Sequence, residues 1–173
     1  MIVKMKTIVI RTVLWTLVVL WMAVIFSFSA ETAEESLETS DGIVEVVVEK
    51  LLENKKDNMS VSEYESFKTK VSHFVRKAAH FSAYMILGIL TLSALIVHGQ
   101  KNKTKAVTSI GICFLYAVSD EIHQIFVPGR AGRFSDVMID TAGAVLGVLL
   151  VFCITYAKLR LKSKNSQKSG EKI

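Results

Sequence analysis

Residues 12–30 read TVLWTLVVLWMAVIFSFSA and contain no charged side chain. Three further stretches, 81–100, 106–119 and 141–157, are also free of Asp, Glu, Lys and Arg. A helix needs roughly 20 mostly apolar residues to cross a bilayer. Two of the stretches reach that length unaided, and the other two reach it with their polar ends included. The sequence therefore predicts an all-α, four-transmembrane-helix bundle, and it excludes a soluble enzyme and a disordered chain.

The overall composition is less informative than the distribution of charge along the chain. Of the 173 residues, 51% are apolar and 21% are charged, which is close to the average of soluble domains. The net charge of +5 would suggest nucleic acid as a partner in a soluble protein. Here the basic excess lies beside apolar spans, as in membrane proteins, so we predict membrane lipids and no nucleic acid as partners. Cys113 and Cys153 lie within the spans, and we expect two buried thiols.

The charge pattern divides one membrane domain, residues 1–173, into spans and connections. The predicted spans are residues 7–29, 79–97, 106–127 and 136–157, with an extracytoplasmic insertion at 30–78 and a disordered basic tail at 158–173. A secretory signal peptide is an alternative for the first span, since Ser27 and Ser29 fit a small-residue cleavage site. The apolar run is longer than a usual signal core, which favours a retained anchor.

The insertion is predicted to be partly helical. Apolar residues from Ile43 to Leu52 recur at helical spacing, although the alternation of Val44, Val46 and Val48 also allows a strand. Residues 54–58 indicate a break. Ser60 and Glu63 then fit a capping box that starts a second helix, which runs toward the second span.

The distribution of Lys and Arg predicts the orientation of the chain. The N-terminal flank, the loop around Lys101 and the C-terminal tail hold twelve of the 21 basic residues and a single acid, Glu171. Basic flanks stay on the cytoplasmic side, so both termini are predicted to be cytoplasmic. The insertion and the loop before Ser135 then face outward.

Charged residues within the spans predict a polar cavity at the outer side. Asp120 lies about 10 Å below the end of the third span, and His123 and Gln124 share its helical face. Ionisable groups at such depth normally face the bundle interior or a wet cavity. The other spans and the short loop contribute residues at the same level, so convergence into one site is expected. The candidate ligand-binding residues are Arg76, Lys77, His80, Tyr84, Asp120, Glu121, His123, Gln124, Arg130, Arg133, Asp136 and Asp140.

Several roles are compatible with this cluster. Arginine side chains suit phosphate or carboxylate, which favours an anionic or polar headgroup as ligand. Alternatively, Arg76 and Lys77 pair with Asp136 or Asp140, His123 pairs with Glu121, and the cluster only holds the helices in register. The amphipathic helices of residues 43–79 also allow a structural partner role in a membrane complex.

Catalysis and metal binding are the remaining interpretations. The candidate catalytic residues are His123 as base, together with Asp120 and Glu121, but no nucleophile motif accompanies them. His80, Asp136 and Asp140 join these three as conceivable metal ligands, yet their spacing matches no specific metal motif. We therefore predict no metal and no cofactor.

Several of these segments together resemble one family. Ser119–Arg130, with Asp120, Glu121, His123, Gln124 and Pro128, followed by Asp136 and Asp140–Gly143, resembles the VanZ-like family of bacterial integral membrane proteins. The segment Lys77–Tyr84 and the Ser-rich end of the first span are also similar to that family. The family often has Asn at the position of Asp140, so this chain carries an additional acid there.

The resemblance implies a place in the bacterial cell membrane and envelope. The family's named member is linked to low-level resistance to teicoplanin, a lipoglycopeptide that binds cell-wall precursors. The resemblance therefore implies an effect on susceptibility to such antibiotics, and for the predicted cavity we expect a lipid headgroup or a lipoglycopeptide as ligand. It implies no defined reaction, so an enzyme acting on a lipid-linked phosphate or glycan stays an alternative.

Overall fold

The computed structural model describes residues 2–53, 59–97 and 102–170. These residues form five helices: α1 (Ile2–Ser29), α2 (Ala33–Leu52), α3 (Val61–Ile96), α4 (Asn102–Gln124) and α5 (Phe134–Gly170). The predicted all-α class is confirmed for the described residues. The strand alternative for Val44, Val46 and Val48 is wrong, because these residues lie within α2.

Three helices are long and apolar enough to cross a membrane: Lys4–Ser29, Val61–Ile96 and Phe134–Lys158. Helix α4, which holds the predicted third span, is not among them. Its uncharged stretch, residues 106–119, is bounded by Lys105 and Asp120 and is shorter than a usual span. The helix also ends at Gln124 rather than at residue 127, because a turn precedes Pro128. An all-helical protein with three candidate spans is thus established.

Capping boxes fix the starts of α2 and α3. The predicted box at α3 is confirmed, since the Glu63 N–H donates to Ser60 Oγ and the Ser60 N–H donates to the Glu63 carboxylate. An equivalent box between Thr32 and Glu35 starts α2 about three turns earlier than predicted. The predicted break at 54–58 lies outside the described residues.

Two helices extend further than predicted. Helix α3 joins the second helix of the insertion to the second span without a break. Helix α5 starts at Phe134, two residues before the predicted start of the fourth span, so Ser135 and Asp136 lie in its first turn. It continues to Gly170, so the tail predicted to be disordered is helical up to that residue. No Pro interrupts residues 158–170, and extending an existing helix needs no new nucleation.

The helices pack around α3. Helix α1 runs antiparallel to it, with Trp21 Nε1 donating to Ala83 O at 2.8 Å and Arg11 donating to Val97 O. Helix α5 has the most extensive contact with α3. At this crossing a Cβ on Gly143 or Gly147 would lie inside van der Waals distance of the Phe81 or Met85 carbonyl. We call this region the α3–α5 crossing.

Helix α2 and residues 61–78 of α3 form a second unit, the α2–α3 hairpin. Its small core contains Val44, Val48 and Leu52, which pack against Val71.

One of the two cysteines is buried and the other is exposed. Cys113 is buried as predicted, whereas the prediction is wrong for Cys153, which lies exposed on α5 beside Ile154.

Candidate functional site

A cavity of about 350 Å³ opens where the C-terminal ends of α1 and α4 meet the N-terminus of α5. We call this region the polar end. Helix α3 passes through it and contributes Arg76, Lys77 and His80, while α2 contributes Ala33 and Leu37. The wall is therefore assembled from the insertion, the end of α4, the loop before α5 and the start of α5, all of which the sequence analysis placed at the outer side.

Nine of the twelve candidate ligand-binding residues line this cavity. They are Arg76, Lys77, His80, Glu121, Gln124, Arg130, Arg133, Asp136 and Asp140. The other three, Tyr84, Asp120 and His123, are not part of the lining. Tyr84 and Asp120 lie behind it, fully buried in the bundle.

Asp120 is held by donors from two other helices. Ser29 Oγ, at the end of α1, donates to Asp120 Oδ2 at 2.8 Å, and Tyr84 OH on α3 donates to the same oxygen at 3.5 Å. Gln124 Nε2 donates to Ser29 Oγ at 3.0 Å and so holds the serine in place. All four side chains are buried, and the second carboxylate oxygen of Asp120 has no hydrogen-bond partner in the described structure.

The Asp120 carboxylate faces a second buried acid. Ligand atoms of His80, Asp120 and Asp140, one from each residue, lie within 4.8 Å of one another. His80 Nδ1 is 4.0 Å from Asp140 Oδ2. Among the described residues, neither oxygen of Asp140 has a hydrogen-bond partner.

Two other acids of the cavity are already engaged. Glu121 accepts a hydrogen bond of 2.8 Å from the backbone N–H of Arg133, which fixes the loop before α5. Asp136 forms an ion pair with Lys77, as the ion-pair alternative predicted. The alternative's other pairs do not form within the described structure, where Arg76 and His123 make no ion pair with an acid.

The arginines have few protein partners. Arg130 Nη2 donates to Phe28 O at 3.1 Å, whereas its buried Nε has no hydrogen-bond partner among the described residues. In the part of the chain that the structure describes, Arg76 Nη2 lies within hydrogen-bond distance of His73 Nδ1, at 3.2 Å. Burial lowers the pKa of Arg130, and the positive charge of nearby Arg76 lowers it further. Two like charges are therefore held close together at the cavity.

His123, the candidate base, does not face the cavity. Its ring stacks on Phe26 of α1 with centroids 4.5 Å apart. Of the three candidate catalytic residues, Glu121 lines the cavity and Asp120 lies buried behind it.

Sequence reasoning missed the part of the site that comes from α1. Ser29 was seen as part of a cleavage site, and Phe28 was not considered. The available signal was a serine at the end of an apolar span, where a buried hydroxyl needs a partner. His73 was also missed, although it lies one turn before Lys77 on the same helix.

Comparison with known proteins identifies the family. A family model described as VanZ/LLP1 matches residues 14–155, which is most of the chain. Neither a curated protein nor a solved structure matches the chain significantly. The chain belongs to the VanZ/LLP1 family, and this membership together with the apolar helices indicates a membrane protein.

Proposed function

We propose that this member of the VanZ/LLP1 family is a four-span protein of the bacterial plasma membrane that binds an anionic headgroup in an outward-facing cavity. The ligand is a lipid headgroup or the anionic part of a lipoglycopeptide. One observation carries the proposal. Arg76 and Arg130 lie at the cavity, and in the described structure neither forms an ion pair with a carboxylate.

The chemistry of the arginines favours an anion. A guanidinium presents a planar fork of donors that matches two oxygens of a phosphate or carboxylate. Arg130 keeps a buried Nε without a partner, and Arg76 repels it electrostatically. An anion between the two would accept the free donors and remove the repulsion. Arg133, exposed at the mouth of the cavity, provides a third cation.

In the described structure, the acids of the cavity form no ion pair with Arg76 or Arg130. Asp136 is paired with Lys77, and Glu121 accepts the Arg133 N–H. Their remaining oxygens can accept hydrogen bonds from sugar hydroxyls or an amine. The cavity therefore suits a ligand that combines an anionic group with a neutral or cationic polar part.

The fourth crossing follows from the placement of charges on α4. Its 23 residues extend roughly 34 Å, which is sufficient for a bilayer core. Lys105, Asp120 and Glu121, which lower its mean hydropathy, are buried inside the protein. They would not contact lipid, so the helix can cross despite them. The basic flanks then place both termini in the cytoplasm and the polar end outside.

Lipid retention tests the proposal. The purified full chain is exchanged into nanodiscs containing equal amounts of phosphatidylglycerol and phosphatidylcholine, and the lipid retained after detergent extraction is quantified by mass spectrometry. We expect enrichment of phosphatidylglycerol in the wild type and a several-fold loss of it in Arg130→Ala and Arg76→Ala. Arg160→Ala is the matched control, because it removes the same charge at the opposite end of α5. Equal enrichment in Arg130→Ala and the wild type would refute the proposal.

A second arm distinguishes the source of the anion. Glycerol phosphate is added as a soluble competitor during extraction. Displacement of the lipid indicates that the cavity recognises the phosphate itself, whereas no displacement indicates that the acyl chains are required. A third arm replaces the lipid by teicoplanin and measures retention of the antibiotic by the same variants.

The resemblance also predicts an effect on antibiotic susceptibility. We expect expression of the wild-type chain in a susceptible Gram-positive host to raise the minimum inhibitory concentration of teicoplanin, and Arg130→Ala to raise it less at equal protein level. If the wild type and Arg130→Ala raise the inhibitory concentration equally, the antibiotic phenotype does not depend on Arg130 at the cavity.

A further inference from the structure

Behind the cavity, three helices each contribute one metal-ligating side chain to the same point. His80 comes from α3, Asp120 from α4 and Asp140 from α5, and one ligand atom of each lies within 4.8 Å of the others. The two aspartates are 2% and 1% exposed. The imidazole is partly exposed and lines the cavity together with Asp140.

Several carboxylate oxygens of the two aspartates accept no hydrogen bond from the described residues. In the described residues, both oxygens of Asp140 and one oxygen of Asp120 are buried without a hydrogen-bond partner. Burying an ionised carboxylate without a partner is strongly unfavourable. Two such groups beside each other are worse, because their charges also repel. Within the described residues, His80 is the base that lies within ion-pair distance of Asp140, and a single imidazolium cannot balance two carboxylates.

We propose that His80, Asp120 and Asp140 bind a divalent transition-metal cation such as Zn²⁺ or Mn²⁺. Two carboxylates neutralise the charge of such an ion. Imidazole nitrogen is a ligand that Zn²⁺ accepts readily, and carboxylate oxygens suit Mn²⁺ as well as Zn²⁺. Mg²⁺ and Ca²⁺ prefer sites made entirely of oxygen, so the histidine disfavours them.

The dimensions of the group are compatible with coordination. Two ligand atoms that are each about 2.1 Å from a tetrahedrally coordinated ion lie about 3.4 Å apart. His80 Nδ1 and Asp140 Oδ2 are 4.0 Å apart, and all three ligand atoms lie within 4.8 Å of one another. Coordination therefore needs the ligand atoms to approach by roughly 1 Å, which rotation about side-chain torsions provides.

The surroundings resemble the supporting shell of a metal site. Metal-ligating carboxylates are usually oriented by hydrogen bonds from outer residues. Ser29 and Tyr84 donate to one oxygen of Asp120, which leaves its other oxygen for the cation. Three protein ligands leave a coordination position for an anionic oxygen of a ligand in the cavity.

The sequence analysis included these three residues among six conceivable metal ligands but predicted that no metal binds, because no spacing within one segment matches a metal motif. The structure singles out these three because each comes from a different helix and only the packing brings them together. The proposed metal ligands are different residues from the arginines of the anion site. An experiment can therefore refute metal binding and leave the proposal of anion binding intact, or the reverse.

Metal stoichiometry tests the proposal. The purified full chain in detergent is stripped with a chelator, dialysed against Zn²⁺ or Mn²⁺ in separate experiments and analysed by inductively coupled plasma mass spectrometry. We expect about one ion per chain for the wild type. Asp140→Asn and His80→Ala should weaken binding at least as much as the roughly 10–100-fold loss caused by outer-shell changes.

Matched controls separate coordination from general charge and from folding. His73→Ala changes a histidine of the same cavity, and Asp136→Asn changes an acid one turn earlier on α5 that is already paired with Lys77. Both should keep the wild-type stoichiometry, and Arg130→Ala should keep it as well. A metal-induced rise in melting temperature in the wild type and in His73→Ala, but not in the folded Asp140→Asn, would support the site. Absence of bound metal in the wild type, or an equal loss in Asp136→Asn, would overturn it.

Discussion

The α3–α5 crossing and the polar end are neighbours with opposite construction. On α5, Asp140 and Gly143 are only about one turn apart. At Gly143 the backbone of α5 touches the backbone of α3, and no side chain fits between them. At Asp140 the same helices leave space that charged side chains line. The difference teaches that glycine contacts fix the helix axes, so polar groups next to them are held at fixed separations.

The largest expected effect comes from adding a methyl group at the crossing. In Gly147→Ala the new Cβ meets the Met85 carbonyl, so the helices must separate. We expect a loss of about 3 kcal/mol in the free energy of unfolding, measured by denaturant titration in detergent. Gly111→Ala is the matched control, because a Cβ there meets nothing within 4 Å and Ala is the better helix former. Equal stability of the two variants would show that the crossing is not tightly packed.

A smaller effect is expected for the hydroxyl that supports the polar end. Ser29→Ala removes the hydrogen bond of 2.8 Å to Asp120 Oδ2, which keeps only the longer bond of 3.5 Å from Tyr84 OH, and it leaves the buried Gln124 Nε2 without this acceptor. We expect a loss of about 2 kcal/mol in unfolding free energy. Ser27→Ala, two residues earlier on the exposed face, should change stability by less than about 0.5 kcal/mol. If both substitutions have the same effect, the Ser29–Asp120 contact is not stabilising.

The ion pair at the cavity wall should contribute less than the buried hydrogen bond. Lys77 and Asp136 are partly exposed, with 42% and 29% of their side chains accessible. A double-mutant cycle with Lys77→Met and Asp136→Asn should give a coupling energy of about 1 kcal/mol. We expect the coupling to decrease at high salt, because solvent ions screen exposed charges. A coupling energy that does not change with salt would contradict this expectation and indicate that solvent ions do not reach the Lys77–Asp136 pair.

The smallest effect is expected at the cap of α2, which borders the cavity. Thr32→Ala should lower the unfolding free energy by about 0.5 kcal/mol at neutral pH. Hydrogen bonds from the Thr32 backbone and hydroxyl lower the pKa of Glu35. A lowered pKa means that this contribution is fully present above the ordinary pKa of a glutamate and is lost as the pH falls below it, through the lowered pKa of the folded state. The difference between wild type and Thr32→Ala should therefore shrink at acid pH, whereas a constant difference would contradict the capping box.

Local patterns predicted most of the helices correctly. The capping box at Ser60 and Glu63 marked the start of α3, and the uncharged stretches marked α1, the later half of α3 and α5. The errors fall at boundaries. The box at Thr32 and Glu35 was overlooked, and the tail after residue 157 was predicted to be disordered because its composition is polar. A polar segment can continue an existing helix when no residue breaks it.

The candidate site was predictable where one helix carries several of its residues. Arg76 and His80 share a face of α3 by their spacing, and both line the cavity. The partners of Asp120 were not predictable, because they depend on how α1 packs against α4. The rotation of α4 also decides that His123 faces Phe26 and that Glu121 faces the cavity. Such rotations are set by packing between helices and leave no signal in a single segment.

The continuity of α3 has a mechanical consequence. Its 36 residues form a rod roughly 54 Å long, which exceeds the hydrocarbon thickness of a bilayer by about 24 Å. Val71, in the core of the α2–α3 hairpin, and His80 at the cavity are both fixed to this rod. Because the helix is continuous, a rotation of the α2–α3 hairpin about the axis of α3 also turns the His80 imidazole. The hairpin and the cavity therefore move together.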